Sequence, residues 1–487
     1  MTSRTSTLMG NRMTYKLKES TPDPKRPDKT VRPQGKAVAE KTSTEAAGRS
    51  LARLTSLDAF RGFIMIMLAA NGFGIYALSR TEEPSQLWTI IDHETLEKIA
   101  FHFEHPPWQS NFVPGSMDAG EGNAWAKWKV SFWDLIQPAF MFMVGMAMPF
   151  SYSRRSREGQ SRWKMILHAL IRAIVLVLLG VFLYSRNESS THWIFTNVLA
   201  QIGLGYFVLF LIFQLSRRWQ WASLAAILIV TTCVMQFAPP TGQYVPEMVN
   251  ASYERGEILA APYERYSKNW NAFSDFDVWF LNQFPRPEQD DPDEVPFRFN
   301  SGGYTTLNFL PSIVTMLLGA MIGQFVMTAP RSAKTFWMLV GAALLCTFLG
   351  VIAGATCCPI IKRIWTPAWA LFSGGYVIGM LAIFYLVFDV WSLKRLAFPL
   401  VVIGMNSIAV YMIGQMLKGW IYREIVTRHF GWLIDSGLDQ VARMTDSRFT
   451  GAELFNMFEP VIQATSVALV IWLICYWMFR QRIFIRI

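Results

Sequence analysis

The amino-acid sequence predicts an all-α polytopic integral membrane protein of about ten transmembrane helices with an extracytoplasmic loop cap. Of its 487 residues, 52% are hydrophobic and only 16% are charged, whereas a soluble protein carries about 25% charged residues. Apolar stretches of about 20 residues recur, each long enough to cross a hydrocarbon layer roughly 30 Å thick. The predicted spans are 59–79, 132–152, 165–185, 194–215, 220–238, 304–328, 336–355, 366–389, 397–417 and 459–479.

The distribution of charge orients these spans. If the N-terminus is cytoplasmic, the segments on that side hold more Lys and Arg than Asp and Glu, and the segments on the other side hold more acids than bases. This is the asymmetry of the positive-inside rule, so we expect both termini in the cytoplasm. The net charge of +10 then follows from the topology, and we expect no nucleic-acid partner.

The chain divides into a tail and a membrane domain. Residues 1–50 are polar and basic with almost no aromatic residues, a composition that predicts a disordered cytoplasmic tail. The segment has no apolar core of the signal-peptide type, and an organellar transit peptide is the alternative. Residues 51–487 form the predicted transmembrane domain. Its outer segments 80–131 and 239–303 are too long for simple connectors, so we expect them to form a cap.

Several histidines are candidates for chemistry, because an imidazole can transfer a proton or attack a thioester near neutral pH. Composition alone does not choose among the six in the chain. His93, His102 and His105 lie together in the first outer segment, but their separations match no strong zinc signature. We therefore expect no metal.

An acid and a base lie at the start of the first span. Asp58 and Arg61 are three residues apart and share a helix face. Ionisable residues at the edge of a membrane are kept where they pair, meet water or hold a ligand. The guanidinium is well shaped for a phosphate group, and an ordinary headgroup anchor with its counterion is the alternative.

Five sequence elements carry a family resemblance. They are Arg53 to Gly62 (RLTSLDAFRG), His105-Pro-Pro-Trp108, Phe132 to Phe142 (FWDLIQPAFMF), Thr306-Leu-Asn308 with Ser312-Ile313 and Leu317-Leu-Gly319, and Gly404-Met-Asn-Ser-Ile408. In this order they resemble the heparan-alpha-glucosaminide N-acetyltransferase-like family of transmembrane acyltransferases. The stretches on either side of His105 are longer than the resemblance leads us to expect. In addition, Asn300 to Tyr304 replaces an Asp-Pro-Glu-Gly element before the sixth span.

The resemblance implies a reaction and an active-site residue. The acyl donor is acetyl-CoA, supplied from the cytosol, and the acceptor is an amino sugar or glycan on the other side of the membrane. The histidine of the His-x-x-Trp element, here His105, is the implied active-site residue. Whether it acts as a base or carries the acetyl group transiently is left open. Asp58 and Arg61 would then serve the donor's entrance.

Three further residues are catalytic candidates. Asn71 and Asn406 could donate a hydrogen bond to the thioester carbonyl oxygen, a contribution typically worth about 3 kcal/mol to the barrier. An interhelical hydrogen bond, worth roughly 0.6 kcal/mol on average, is the alternative for each. Asp134 could orient His105, and a structural role as an acid at a helix N-terminus is equally reasonable.

Other functions and settings remain open. The acceptor could instead be a hydroxyl group, and a small-solute transporter is the non-enzymatic alternative. A transporter is expected to show related halves, which the sequence does not display. We expect a location in a bacterial inner membrane, with a lysosomal-type membrane as the eukaryotic alternative. The expected partners are the lipid bilayer and a glycan acceptor, and a homodimer is left open.

Overall fold

The computed structural model describes residues 54–81, 86–105, 108, 130–286, 296–444 and 448–485. The chain separates into two units, Met1–Ala52 and Arg53–Ile487, and only the second is described below. The predicted tail 1–50 and much of the first predicted cap segment therefore lie outside the described residues.

The described residues form helices and no β-strand. In chain order the helices are α1 (Thr55–Ala69), α2 (Ile75–Ser79), α3 (His93–Ala100), α4 (Phe132–Arg157), α5 (Arg162–Tyr184), α6 (Val198–Phe213), α7 (Arg217–Phe237), α8 (Ala272–Leu281), α9 (Phe309–Thr328), α10 (Ala333–Thr356), α11 (Pro367–Tyr385), α12 (Lys394–Gly404), α13 (Ser407–Met416), α14 (Arg428–Met444) and α15 (Gly451–Arg480).

The predicted all-α membrane fold is confirmed. Within the described ranges, seven helices are long and apolar enough to cross a membrane, and the number rises to nine if each of two bent pairs is one span. The bent pairs are α1 with Asn71–Ser79, at 48°, and α12 with α13, at 60°. Helix α6 is apolar but has only 16 residues, which is about 24 Å of helix. These segments coincide with the ten predicted spans.

Helices α4 and α9 pack closely through glycine, as the Gly319-x-x-x-Gly323 spacing predicts. A Cβ atom added at Gly319 would lie 2.0 Å from the carbonyl oxygen of Phe142, and one at Gly323 would lie 2.6 Å from that of Met146. Only glycine permits this approach. The contact fixes α4 against the centre of the bundle, and α4 carries Asp134 at its first turn.

The N-terminus of α1 is capped by a residue from a distant part of the chain. Asp389 lies in the π-helical turn Leu386–Val390 that extends α11. Its carboxylate accepts the backbone N–H groups of Thr55, at 3.3 Å, and Ser56, at 3.0 Å. An acid at this position satisfies otherwise unpaired N–H groups and complements the helix dipole. It therefore fixes the end of the helix that carries Asp58 and Arg61.

Candidate active site

The start of α4 and the first outer segment are joined at Ser131. Its hydroxyl accepts the N–H of Trp133 at 3.1 Å, which caps α4, and donates to the carbonyl oxygen of Glu104 at 2.7 Å. Ser131 is fully buried. One buried hydroxyl therefore holds the residue before His105 against the first turn of α4, which brings His105 to Asp134.

His105 and Asp134 form a hydrogen-bonded pair, with 2.8 Å between Nδ1 of the imidazole and Oδ1 of the carboxylate. The Asp134 side chain is 5% exposed and the His105 side chain is 44% exposed. The acid is thus held inside the protein while the imidazole reaches the surface of a cavity. The structure brings these two predicted site residues together across 29 positions of sequence.

Lys362 completes a three-residue cluster that the sequence reasoning missed. Its Nζ donates to Oδ1 of Asp134 at 2.8 Å and lies 3.2 Å from Nδ1 of His105. Its side chain is 5% exposed. A signal was present in the sequence, since this cation stands between the apolar pairs Ile360-Ile361 and Ile364-Trp365, and a lysine that becomes buried is almost always paired.

The segment that carries Lys362 is held in place on both sides. Thr366 donates its hydroxyl to the carbonyl oxygen of Pro359 at 2.7 Å and accepts the N–H of Ile361 at 3.0 Å. Asn308, at the start of α9, donates to the carbonyl oxygen of Arg363 at 2.7 Å. These bonds fix the loop between α10 and α11, so Lys362 has little freedom to leave Asp134.

The cluster favours a neutral imidazole with one tautomer. Burial lowers the pKa of His105, the hydrogen bond to Asp134 raises it, and the charge of Lys362 lowers it, with a net downward shift. The ionised carboxylate of Asp134 can only accept hydrogen bonds. Its Oδ1 accepts from the Lys362 ammonium and from the imidazole, so the imidazole carries its proton on Nδ1. Nε2 then has its lone pair free. Among the described residues, Nε2 of His105 has no hydrogen-bond partner.

His105 and Lys362 line a cavity of 230 Å³. Aromatic side chains and neutral polar side chains make up much of the wall, and no Asp or Glu lies among the described lining residues. The other lining residues are Met65, Leu68, Trp133, Ile136, Gln137, Phe140, Tyr184, Thr196, Asn197, Val198, Tyr304, Tyr411 and Gln415. The cavity therefore joins a basic imidazole to a wall that can stack on and hydrogen-bond to a neutral, hydroxylated ligand.

Trp108 anchors the segment that carries His105. Its side chain is 2% exposed, and its indole Nε1 donates to the carbonyl oxygen of Tyr266 at 2.9 Å. A Cβ atom at Gly303, where φ is +75°, would lie 2.3 Å from the Trp108 ring. The second outer segment thus packs directly on the first one. The tryptophan of the His-x-x-Trp element has a positioning role in this structure.

The other predicted site residues lie elsewhere. Asn71 is exposed in the bend after α1, and it is not among the described residues that line the cavity. Asn406 is fully buried at the break before α13. Its amide donates to the carbonyl oxygen of Ile483 at 3.1 Å and accepts the N–H of Ile485 at 2.9 Å. Both groups of the Asn406 amide are thus used by the C-terminal segment.

Asp58 and Arg61 lie in the first two turns of α1, and Asp58 is buried. Leu68, ten positions beyond Asp58, lines the cavity, so about 15 Å of helix separates the two positions. The structure therefore places Asp58 and the His105 cluster at different levels of the bundle. No group of three or more His, Cys, Asp or Glu that could hold a metal occurs within the described part of the chain.

Comparisons with known proteins agree with the predicted resemblance. The family described as "Heparan-alpha-glucosaminide N-acetyltransferase, catalytic" matches residues 116–252. The mouse protein heparan-alpha-glucosaminide N-acetyltransferase is 22% identical over 421 residues, covering 77% of this chain and 55% of the relative. The chain therefore spans about half the length of this relative. The family match includes Asp134 and helices α4 to α7.

Proposed function

We propose that this chain is a membrane acyltransferase similar to the heparan-alpha-glucosaminide N-acetyltransferase family, a proposal supported by the family match over residues 116–252 and by the 22% identity to the mouse relative. In the proposed reaction, an acetyl group moves from cytoplasmic acetyl-CoA to the amino group of an extracytoplasmic amino sugar or glycan. The observation that carries this proposal is the His105–Asp134–Lys362 cluster at the wall of a cavity.

The cluster suits general-base catalysis of acyl transfer. Asp134 accepts a hydrogen bond from the Nδ1–H of His105, which leaves the lone pair of Nε2 available. Nε2 takes a proton from the acceptor amine as the amine nitrogen attacks the thioester carbonyl carbon. A carbon–nitrogen bond forms, the carbon–sulfur bond breaks, and the proton passes from the imidazolium to the departing thiolate. In the alternative course, Nε2 attacks the thioester and carries the acetyl group before the amine accepts it.

Lys362 has a positioning role in this proposal. Its ammonium compensates the buried Asp134 carboxylate at 2.8 Å and lowers the pKa of His105. A base that is neutral at working pH can accept a proton at once. Lys362 also lines the cavity, beside the imidazole that it helps to keep neutral.

The acceptor is proposed to meet both the aromatic and the amide side chains of the wall. Tyr304 and Trp133 offer faces on which a sugar ring can stack, and Gln137 and Gln415 offer amides that can bond to hydroxyl groups. Asp58 and Arg61 remain our proposal for the donor side, since they lie at the other end of α1. Acetyl-CoA would then reach His105 along the bundle.

Transfer to a hydroxyl group is the second candidate, and one observation favours it. The described cavity lining contains no carboxylate, and Asp134 is already bonded to His105 and Lys362. An ammonium group would therefore find no anionic partner there, whereas a hydroxyl would find amides and the imidazole. The chemistry at His105 is the same for either acceptor.

The test uses membranes containing the full chain, isotopically labelled acetyl-CoA and a panel of amino-sugar glycans, with labelled products identified by mass spectrometry. We expect His105→Ala to abolish labelling while His102→Ala, which removes an exposed imidazole three positions away, retains it. A labelled acetyl group that resists mild alkali is linked to the acceptor as an amide, and one that mild alkali releases is linked as an ester. Full activity of His105→Ala would refute the site. Labelling of no acceptor by the wild-type protein would refute both acyltransferase readings and leave the transporter.

A further inference from the structure

Two arginines and a histidine lie together at the end of α4 and α5 that lies away from the cavity. Arg155, near the end of α4, contacts Nε2 of His168 through its guanidinium and donates to Oε1 of Gln160 at 3.3 Å. Arg172 lies four positions after His168 on α5, so the two share a helix face. Tyr184, at the opposite end of α5, lines the cavity.

Arg172 lies well inside a candidate membrane span. It follows the first residue of α5 by ten positions, which corresponds to about 15 Å of helix. Side chains in a helix point toward its N-terminus, so Arg172 extends back toward His168. Its guanidinium carbon lies 4.7 Å from the centre of the Tyr206 ring on α6. This cation–π contact holds the guanidinium between α5 and α6.

The positive charge of the two arginines has no acidic partner among the residues that the structure describes. Within the described residues, no Asp or Glu forms a salt bridge with Arg155, His168 or Arg172, and the neighbouring Glu158 pairs with Arg154. The Nε atoms of Arg155 and Arg172 are both buried without a hydrogen-bond partner in the described part of the chain. Buried donors without a partner are uncommon, and charges at membrane depth normally face a counterion or a functional pathway.

We infer that Arg155, His168 and Arg172 form a binding site for a phosphate group that enters at the ends of α4 and α5. A phosphate supplies the anionic charge that the described residues do not provide, and its oxygens can accept from the forked guanidinium groups. A lipid headgroup and the phosphates of coenzyme A share this chemistry. The site does not depend on the proposed acyl transfer, because binding is measured without an acceptor.

The experiment measures binding to the purified full-length protein. One arm detects phosphatidylglycerol retained after exchange into detergent, by native mass spectrometry. The other titrates coenzyme A into protein in nanodiscs of phosphatidylcholine. We expect one of these probes to bind and Arg172→Gln to weaken it by about tenfold or more, as for loss of a charge-assisted hydrogen bond. The arm that responds identifies the source of the phosphate.

Lys164→Gln is the matched control, because Lys164 is an exposed cation on the same helix and its loss removes the same net charge. We expect this control to change affinity by less than about twofold, as for an exposed, screened charge. If Arg172→Gln does not elute as a monodisperse species, Arg155→Gln is compared with the same control. Binding of neither probe by the wild-type protein would overturn the site, as would equal losses in the cluster variant and the control.

Discussion

The two ends of α4 lie beside clusters of ionisable side chains whose charges are balanced in different ways. At the start of the helix, Lys362 is 2.8 Å from Asp134, which also holds His105. At the other end, Arg155 and Arg172 have no acidic partner within the described residues. The first cluster is internally compensated and leaves one imidazole nitrogen free, as a catalytic base requires. The second holds unbalanced charge, which suits the binding of an anion. Charge balance thus distinguishes the proposed reactive site from the proposed binding site.

The sharpest way to break the first cluster is Asp134→Asn. Without the carboxylate, His105 loses the acceptor that fixes its tautomer, and a comparable change in a catalytic triad lowers kcat about 10⁴-fold. We expect a loss of acetyl transfer of about 10³- to 10⁴-fold per folded protein. The measurement is the transfer rate normalised to monodisperse protein.

This substitution also leaves Lys362 buried without its counterion, which can cost about 3–5 kcal/mol of stability. The double variant Asp134→Asn with Lys362→Gln removes both charges and serves as the control. We expect the double variant to recover stability without recovering activity. Recovery of activity in it would show that Asp134 acts only by compensating Lys362.

Lys362→Gln tests the electrostatic part of the cluster. The lysine lowers the pKa of His105, so its removal raises that pKa and keeps the base protonated to a higher pH. We therefore expect the acidic limb of the pH profile of kcat/KM to move to higher pH, with a loss of about tenfold at neutral pH. Lys98→Gln, which breaks an exposed ion pair with Glu94, should leave the profile unchanged. An unchanged profile in the Lys362 variant would assign it a purely structural role.

The sequence predicts two members of the first cluster but not the third, because of how its members are spaced. The spans follow from apolar length, and His105 and Asp134 lie in two short motifs only 29 positions apart. Lys362 lies 257 positions from His105, and nothing local indicates which buried acid it meets. Asn406 shows the opposite difficulty, in which a sequence motif suggests a role that the contacts of the side chain do not support. Its motif resembles a functional element, yet its amide bonds to the backbone near residue 484, a contact that depends on how the chain end folds back.

Asn406→Ala separates catalytic asparagine from structural asparagine. The variant removes two hydrogen bonds that join the buried Asn406 side chain to the carbonyl oxygen of Ile483 and the N–H of Ile485, and a hydrogen bond typically contributes about 0.5–1.5 kcal/mol net. We expect a lower thermal unfolding temperature and normal transfer per folded protein. Asn71→Gly, at an exposed position where φ is +46° and glycine fits without strain, is the comparison and should leave stability nearly unchanged. A stable Asn406 variant with greatly reduced turnover would restore its proposed role at the thioester.

Asp277 adds a buried acid to the comparison, since no cation pairs with it within the described residues. It lies on α8 in the second outer segment, and one oxygen accepts the N–H of Thr306 at 2.8 Å, while Oδ1 is buried without a partner. Burial raises its pKa to about 7, against the opposing effect of the Thr306 hydrogen bond. The folded state therefore binds a proton that the unfolded state releases near pH 3.8.

The sign of the resulting pH dependence follows from this proton. The contribution of protonated Asp277 to the free energy of unfolding is fully present below pH 3.8. It declines as pH rises toward about 7 and changes little above that value. We expect the thermal unfolding temperature of the detergent-solubilised protein to fall between pH 5 and pH 7. Asp277→Asn should reduce this slope, because its amide oxygen can still accept from Thr306 while the side chain stays neutral. An equal slope in both proteins would mean that the carboxyl group gains a counterion or water on ionisation. The contact between α8 and the start of α9 would then be compensated in the same manner as the Lys362 cluster.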